Sequence, residues 1–218
     1  MGRSELKLRE MFSLEGKTAV ITGAGGILFG TVARGLAQLG VKIAALDLRL
    51  EEAEKTARDV KESGTDSLAV AVDVLNQESV RNAYKAVVKK FGRVDILING
   101  AGGNHPRALT NKEEGVYFHN LSPEGIKFVF DLNILGTVLP SLVFVEKMIE
   151  QKEGVIINTS SMSADTPLSR TVAYSAAKAA VSNFTKWLAA DLAMNHSPLI
   201  RVNEIRPGFF PTLQNADL

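Results

Sequence analysis

Cysteine is absent from the 218 residues, and the chain carries one Trp and three His. Without Cys there is no disulfide framework, no thiolate nucleophile, no iron–sulfur cluster and no thiolate-ligated zinc. The absence also fits a reducing compartment, so a cytoplasmic location is expected. His105, His119 and His196 are widely spaced, and no metal is expected. Neither sign of charge is in excess: 25 Lys and Arg against 24 Asp and Glu leave a formal +1. Nucleic acids and anionic membranes attract proteins through a strong positive field, so neither is expected as a partner. No stretch approaches the roughly 18–20 consecutive apolar residues of a membrane span. Residues 1–16 carry Arg3, Glu5, Lys7, Arg9, Glu10 and Glu15 with no continuous apolar core, so no leader is expected. Without a repeat, low-complexity tract or Pro-rich linker, the chain reads as one domain over 1–218.

Short apolar runs alternate with longer amphipathic stretches. Strands are predicted at Thr18–Thr22, Lys42–Leu46, Leu68–Val72, Val94–Ile98, Val155–Asn158 and Ile200–Ile205. Helices are predicted at Leu28–Leu39, Glu51–Glu62, Gln77–Lys90, Ser122–Glu150 (one long helix) and Val172–Met194. The strands are apolar on both faces, as in parallel sheets covered by helices. Such an alternation gives an α/β fold of Rossmann type, a doubly wound parallel sheet with helices on both faces. A complete protein of this type is expected to add a further helix and strand, roughly 20 residues, so the C-terminal end reads as incomplete.

The first strand runs into T-G-A-G-G-I-L-F-G, Thr22 to Gly30. Glycines let the backbone approach a pyrophosphate and turn into a helix whose free N–H groups and positive dipole end face it. Asp47 ends the second strand, 24 residues beyond Gly23. A carboxylate there accepts from the adenosine ribose hydroxyls and repels a 2′-phosphate, which favours NAD over NADP; Arg49 close by works against that preference. The alternative is a structural turn beside a solvated acid. Asp73, with Val74, ends the third strand where an adenine amino group could be held; Asp73 could instead cap the following turn. Asn99-Gly100-Ala101-Gly102 ends the fourth strand, where small residues let a cofactor pass over the sheet edge or simply make a turn.

Tyr174 and Lys178 stand at i, i+4 in Y-S-A-A-K, on one face of a helix. A nearby ammonium lowers a phenol's pKa from about 10. Such a pair can exchange a proton with an alcohol or carbonyl while hydride moves to or from nicotinamide. Tyr-x-x-x-Lys alone more often decorates a helix. Here Ser160 and Ser161 follow the fifth strand, at the carboxyl edge where open α/β sheets bind ligands. Asn133 lies within D-L-N-I-L-G on the long helix, an unfavourable place for an amide.

With these residues together, the sequence resembles the short-chain dehydrogenase/reductase family from Gly16 to Gly208. The glycine turn, Asp47, Asp73, N-G-A-G, N-I-L-G, the serine pair, Y-S-A-A-K and Pro207-Gly208 carry the resemblance. It implies that Tyr174 is the general acid/base and that Lys178 binds the nicotinamide ribose and tunes Tyr174. Ser161 would hydrogen-bond the reacting oxygen, and Asn133 would hold a water in a proton relay. Gly23, Gly26, Leu28, Asp47, Asp73, Val74, Asn99, Ala101, Gly102, Tyr174, Lys178, Pro207 and Gly208 would meet the cofactor. The common family pattern T-G-x-x-x-G-x-G would put glycine at positions 27 and 29, where this chain has Ile27 and Phe29. With N-G-A-G-G-N-H-P, F-V-F-D-L-N and P-G-F-F, the variant resembles the D-mannonate oxidoreductase branch, also called fructuronate reductase.

That branch implies a small sugar-acid substrate contacted by Ser161 and Tyr174. A carboxylate needs cations or donors: Asn104 and His105 are the first candidates, Arg107 and Arg170 the next. Phe118, Phe128 and Phe130 are expected to pack in a core or at a subunit contact. Family members commonly pair long helices into a four-helix subunit contact, which implies a homotetramer or homodimer. Other readings are a dehydrogenase for a gluconate, a polyol or a 3-oxoacyl thioester, a dinucleotide-binding regulator without chemistry, or an inactive truncated fragment.

Overall fold

The structure, a computed structural model, describes residues 13–210. The expectations for the opening segment and for the end after Leu218 fall outside those residues.

Six strands form one parallel sheet: β1 (Thr18–Thr22), β2 (Lys42–Asp47), β3 (Ser67–Ala71), β4 (Ile96–Asn99), β5 (Gly154–Thr159) and β6 (Ile200–Ile205), in the order β3-β2-β1-β4-β5-β6. Helices α1 (Ile27–Gln38), α2 (Leu50–Glu62), α3 (Gln77–Phe91), α4 (Pro123–Phe130), α5 (Gly136–Gln151) and α6 (Val172–Asn195) lie between them. This is the doubly wound order, and its direction reverses between β1 and β4, where a crevice opens at the carboxyl edge.

Each central strand feeds two cores, because successive side chains point to opposite faces. On one face Ala19, Ile21, Ile43, Ala45 and Ile98 pack with Phe29, Ala33 and Ala37 of α1 and Ala53 and Val60 of α2. On the other, Val20, Leu46, Leu97 and Ile156 pack with Val87 of α3, Phe144 and Met148 of α5 and Leu192 of α6. Two-sided burial does not extend to β6. Ile200 and Val202 are buried while Arg201 and Asn203 are exposed, the alternation of a strand covered on one face.

The stretch predicted as one helix from Ser122 to Glu150 is not continuous. Five residues of π-helix, Asp131–Leu135, separate α4 from α5. The break centres on Asn133, whose amide bonds both outside and along the helix: Nδ2 donates to the carbonyls of Gly103 (2.8 Å) and Val129 (2.8 Å), and Oδ1 accepts the Gly103 N–H (3.2 Å). A π turn is the usual result when a tertiary demand is met inside a helix. The whole stretch, Pro123–Gln151, is long and apolar enough by composition to cross a membrane, contrary to the count of consecutive apolar residues. Half of its most apolar window is buried in this fold, as in a core helix.

Candidate active site

A cleft of about 930 Å³ runs along the carboxyl edge of the sheet from Asp47 to Tyr174. Its floor is the turn after β1. Gly23 has φ +65°, and a Cβ there would stand 3.0 Å from the backbone of Ala101, so glycine is needed for both dihedral and space. Gly25 donates its N–H to Asp47 Oδ2 (3.0 Å), and a Cβ on it would lie 2.4 Å from Glu52 Cβ. Gly26 caps α1, with Ile27 and Leu28 of its first turn lining the cleft. The departure at position 29 has a steric explanation. Phe29 is 5% exposed, and a Cβ on Gly100 would come within 2.5 Å of its ring. The ring takes space that a side chain at position 100 would fill.

Asp47, Asp73, Val74, Ala101, Gly102, Pro207 and Gly208 all line the cleft as expected. Asp47 also accepts the Arg49 N–H at 3.1 Å, and Asp73 accepts the Leu75 N–H at 2.9 Å. Arg49, Glu52 and Lys55 border the same end as Asp47. Asn99 is placed elsewhere. Its side chain is fully buried behind the cleft and donates to Ser141 Oγ (2.9 Å) and Asn158 Oδ1 (2.8 Å), because β4 turns it into the sheet–helix interface. Thr22, which the sequence did not single out, shapes the N-G-A-G turn: its Oγ1 accepts from Gly100 (3.1 Å) and Ala101 (3.2 Å).

At the other end Ser161, Tyr174 and Lys178 converge. The one helical turn between Tyr174 and Lys178 puts the ammonium 5.4 Å from the phenol ring centroid. Lys178 is 3% exposed and donates to the Thr159 carbonyl at 2.7 Å. Burial alone lowers its pKa to about 8. The expectation that this neighbour lowers the Tyr174 pKa is corrected for the unliganded protein. Burial pushes the phenol up and a hydrogen bond from Ser161 pulls it down, with a net rise. Desolvation outweighs proximity here.

Asn133 lies beside this pair: a Cβ on Gly102 would be 2.8 Å from Asn133 Oδ1 and 3.2 Å from Lys178 Nζ. Its side chain holds Gly103 from both sides, and Thr137 Oγ1 donates to its carbonyl at 2.9 Å. Asn133 thus fixes the rim at Gly103.

The four candidates for the substrate carboxylate, Asn104, His105, Arg107 and Arg170, are not among the residues that line the cleft. Asn104 Oδ1 accepts the His105 N–H (3.2 Å), and His105 Nδ1 accepts the Arg107 N–H (3.2 Å). Arg107 is paired with Glu124 and bonded to Ser122. Arg170 has φ +70° and donates from Nε to the Thr110 carbonyl at 2.9 Å. The aromatic expectation divides. Phe130 packs beside the small cluster of Ala108, Val129 and Ala173, and Phe118 is 73% exposed. Phe128 borders the cleft, with the His105 ring edge-on at 5.1 Å.

Comparison with known proteins agrees with this geometry. The sequence profile of the short chain dehydrogenase family matches residues 17–218. An uncharacterized oxidoreductase, UxuB, of Bacillus subtilis (strain 168) is 44% identical over 212 residues, 94% of this chain and 75% of that protein. A crystal structure with bound NAD, from Haemophilus influenza and provisionally assigned as a D-mannonate oxidoreductase, superposes with a TM-score of 0.89. It is 43% identical and covers 96% of this chain and 76% of that one. An NAD+-bound xylitol dehydrogenase superposes with a TM-score of 0.82 at 32% identity, covering 91% and 72%.

Proposed function

This chain belongs to the short-chain dehydrogenase family of NAD(P)-dependent oxidoreductases, and we propose that it moves a hydride between NAD and a secondary alcohol or ketone of a sugar acid. D-mannonate and D-fructuronate are the favoured pair. The observation that carries the reading is the meeting of Ser161, Tyr174 and Lys178 at one end of a glycine-floored cleft whose other end holds Asp47. The likeness to the Haemophilus protein supports the choice of substrate.

The cleft fits a dinucleotide on its own terms: Gly23, Gly25, Gly26, Gly100, Gly102 and Gly103 line it, and the first turn of α1 faces it. Asp47 would accept from the adenosine ribose and disfavour a 2′-phosphate, which supports NAD over NADP. When bound, the nicotinamide supplies the acceptor or donor of the hydride. The rest falls to the chain. In oxidation Tyr174 Oη takes the hydroxyl proton as hydride leaves the same carbon, and in reduction it returns that proton. Ser161 donates to the reacting oxygen. Lys178 stands over the phenol, with no carboxylate partner among the described residues, and favours the phenolate form as Tyr174 ionises.

A substrate carboxylate needs a cation. Around the catalytic end Arg107 is paired with Glu124, and Arg206 with Glu204 and Asp165. Arg170 has no carboxylate partner among the described residues, and its Nε bond to Thr110 leaves both terminal nitrogens to offer. We assign it the carboxylate. A polyol is the second reading, supported by the likeness to the xylitol dehydrogenase. Incubation with NAD and D-mannonate, beside gluconate, xylitol and a 3-oxoacyl thioester with NADH, decides between them by the reduced-nicotinamide absorbance.

By the same reading the chain pairs with further copies of itself as a dimer or tetramer in the cytoplasm. Exposed Leu142 on α5 and Trp187 and Met194 on α6 support a helix-on-helix contact.

A further inference from the structure

Ser161 is 6% exposed and stands at the start of a single 3₁₀ turn, Met162–Ala164. Its Oγ receives two hydrogen bonds, both from Ser163: the main-chain N–H at 3.1 Å and the side-chain hydroxyl at 3.1 Å. A hydroxyl oxygen has two lone pairs and one hydrogen. With both lone pairs filled, Ser161 has only its hydrogen to offer; it lines the catalytic end of the cleft with Tyr174, whose phenol its hydroxyl draws toward lower pKa. Ser163 is 1% exposed, and among the described residues its hydroxyl has no other hydrogen bond.

We propose that Ser163 is a positioning residue for the oxidoreductase reaction, one that keeps Ser161 a donor only, its single hydrogen offered to Tyr174 while the substrate site is empty and to the reacting oxygen once substrate is bound. Two consequences follow from the geometry. Ser161 cannot accept the Tyr174 proton, so that proton stays available to the substrate oxygen. Donation into Ser161 Oγ also polarises its own O–H, because hydrogen bonds in a chain strengthen one another. A stronger donor stabilises the phenolate of Tyr174 and the alkoxide-like oxygen of the transition state. Ser163 touches neither the cofactor cleft nor the phenol; it acts through Ser161 alone.

The inference rests on the oxidoreductase reading but not on the choice of sugar acid. Its test is the pH profile of alcohol oxidation in Ser163→Ala, Ser163→Thr and the wild type, on whichever alcohol the wild type turns over. With a weaker donor on the phenolate, Tyr174 ionises later. The acid limb of kcat/KM in Ser163→Ala should move to higher pH by about half a unit. Its kcat should fall about 3- to 10-fold with KM within about twofold, the size of one lost hydrogen bond. Ser163→Thr, which keeps the Oγ, should restore both. Phenolate absorption of the NAD complex, read as the difference from Tyr174→Phe, reports the same shift without any substrate. It separates failure of this inference from failure of the substrate assignment. Should Ser163→Ala not fold, Ser163→Cys keeps the shape with a weaker donor and predicts the same direction. An unmoved Tyr174 titration in a folded variant, whether activity is kept or lost, overturns the proposal.

Discussion

The Nζ of Lys178 lies 2.7 Å from the carbonyl oxygen of Thr159, to which it donates, and among the described residues it meets no carboxylate. Folding therefore buries a cation beside a neutral dipole, and its pKa falls to about 8. Between that value and the unfolded value of 10.5 the unfolded chain binds more protons, so this contribution to stability rises with pH across that window. At pH 7 the charged, buried amine works against folding. Lys178→Met should stabilise the unliganded protein by about 1–2 kcal/mol near pH 7 while removing activity. The gain should shrink above about pH 8, as a series of thermal melts would report; a loss of stability at pH 7 would contradict it.

At the other edge of the sheet the pH dependence has the same direction, but there the charged form favours folding. Asp95, 5% exposed, takes the Thr18 N–H at 2.8 Å and two bonds from Arg93, with Lys17 at 3.3 Å. Burial opposes its charge, but the Arg93 bonds, the Thr18 N–H and the two cations outweigh it and hold the carboxyl below the usual range. That stability is present above pH 3.8 and is lost as pH falls through the lower folded value. Asp95→Ala should cost about 1–3 kcal/mol in denaturant melts, because it strands the buried Thr18 N–H. Cofactor affinity in the folded fraction should not change.

Asp47 is expected to set cofactor choice. Asp47→Ala should narrow the preference for NAD over NADP at least about tenfold, through loss of the ribose bonds and of the repulsion toward a 2′-phosphate. The ratio of kcat/KM with the two cofactors checks this. An unmoved ratio would shift the role to Glu52, which borders the same end.

Arg170 separates the acid from the polyol reading. Arg170→Gln should raise KM for D-mannonate about 10- to 100-fold, with kcat within about threefold and NAD affinity unchanged. An uncharged polyol should be nearly indifferent to the change. Equal loss on both substrates would mark Arg170 as a tie between the Thr110 and Thr171 segments and nothing more.

The fold was legible because its signals are local. Apolar runs of β1, β2 and β4 are bracketed by turn residues, and Gly92 at φ +74° ends α3 as a C-cap glycine should. What could not be read was tertiary. D-L-N-I-L has helical spacing, and the π turn there exists because Asn133 reaches Gly103, 30 residues away. Asn99 belongs to a recognisable motif, but which face of β4 it occupies depends on register, and register put it against Ser141 and Asn158. Tyr174 and Lys178 were found from their i, i+4 spacing together with Ser161, Asn133 and the glycine turn. Spacing misjudged the phenol in the unliganded protein because it cannot register burial. Ser163 left no signal, since a serine two positions after another has no periodicity to distinguish it.

The most direct measurement is NADH formation by the wild type and by Tyr174→Phe, with NAD affinity determined for both. The account predicts turnover of a sugar-acid alcohol by the wild type and a loss of about 10³-fold or more in Tyr174→Phe, with NAD bound about equally by each. Sustained turnover by Tyr174→Phe would contradict it.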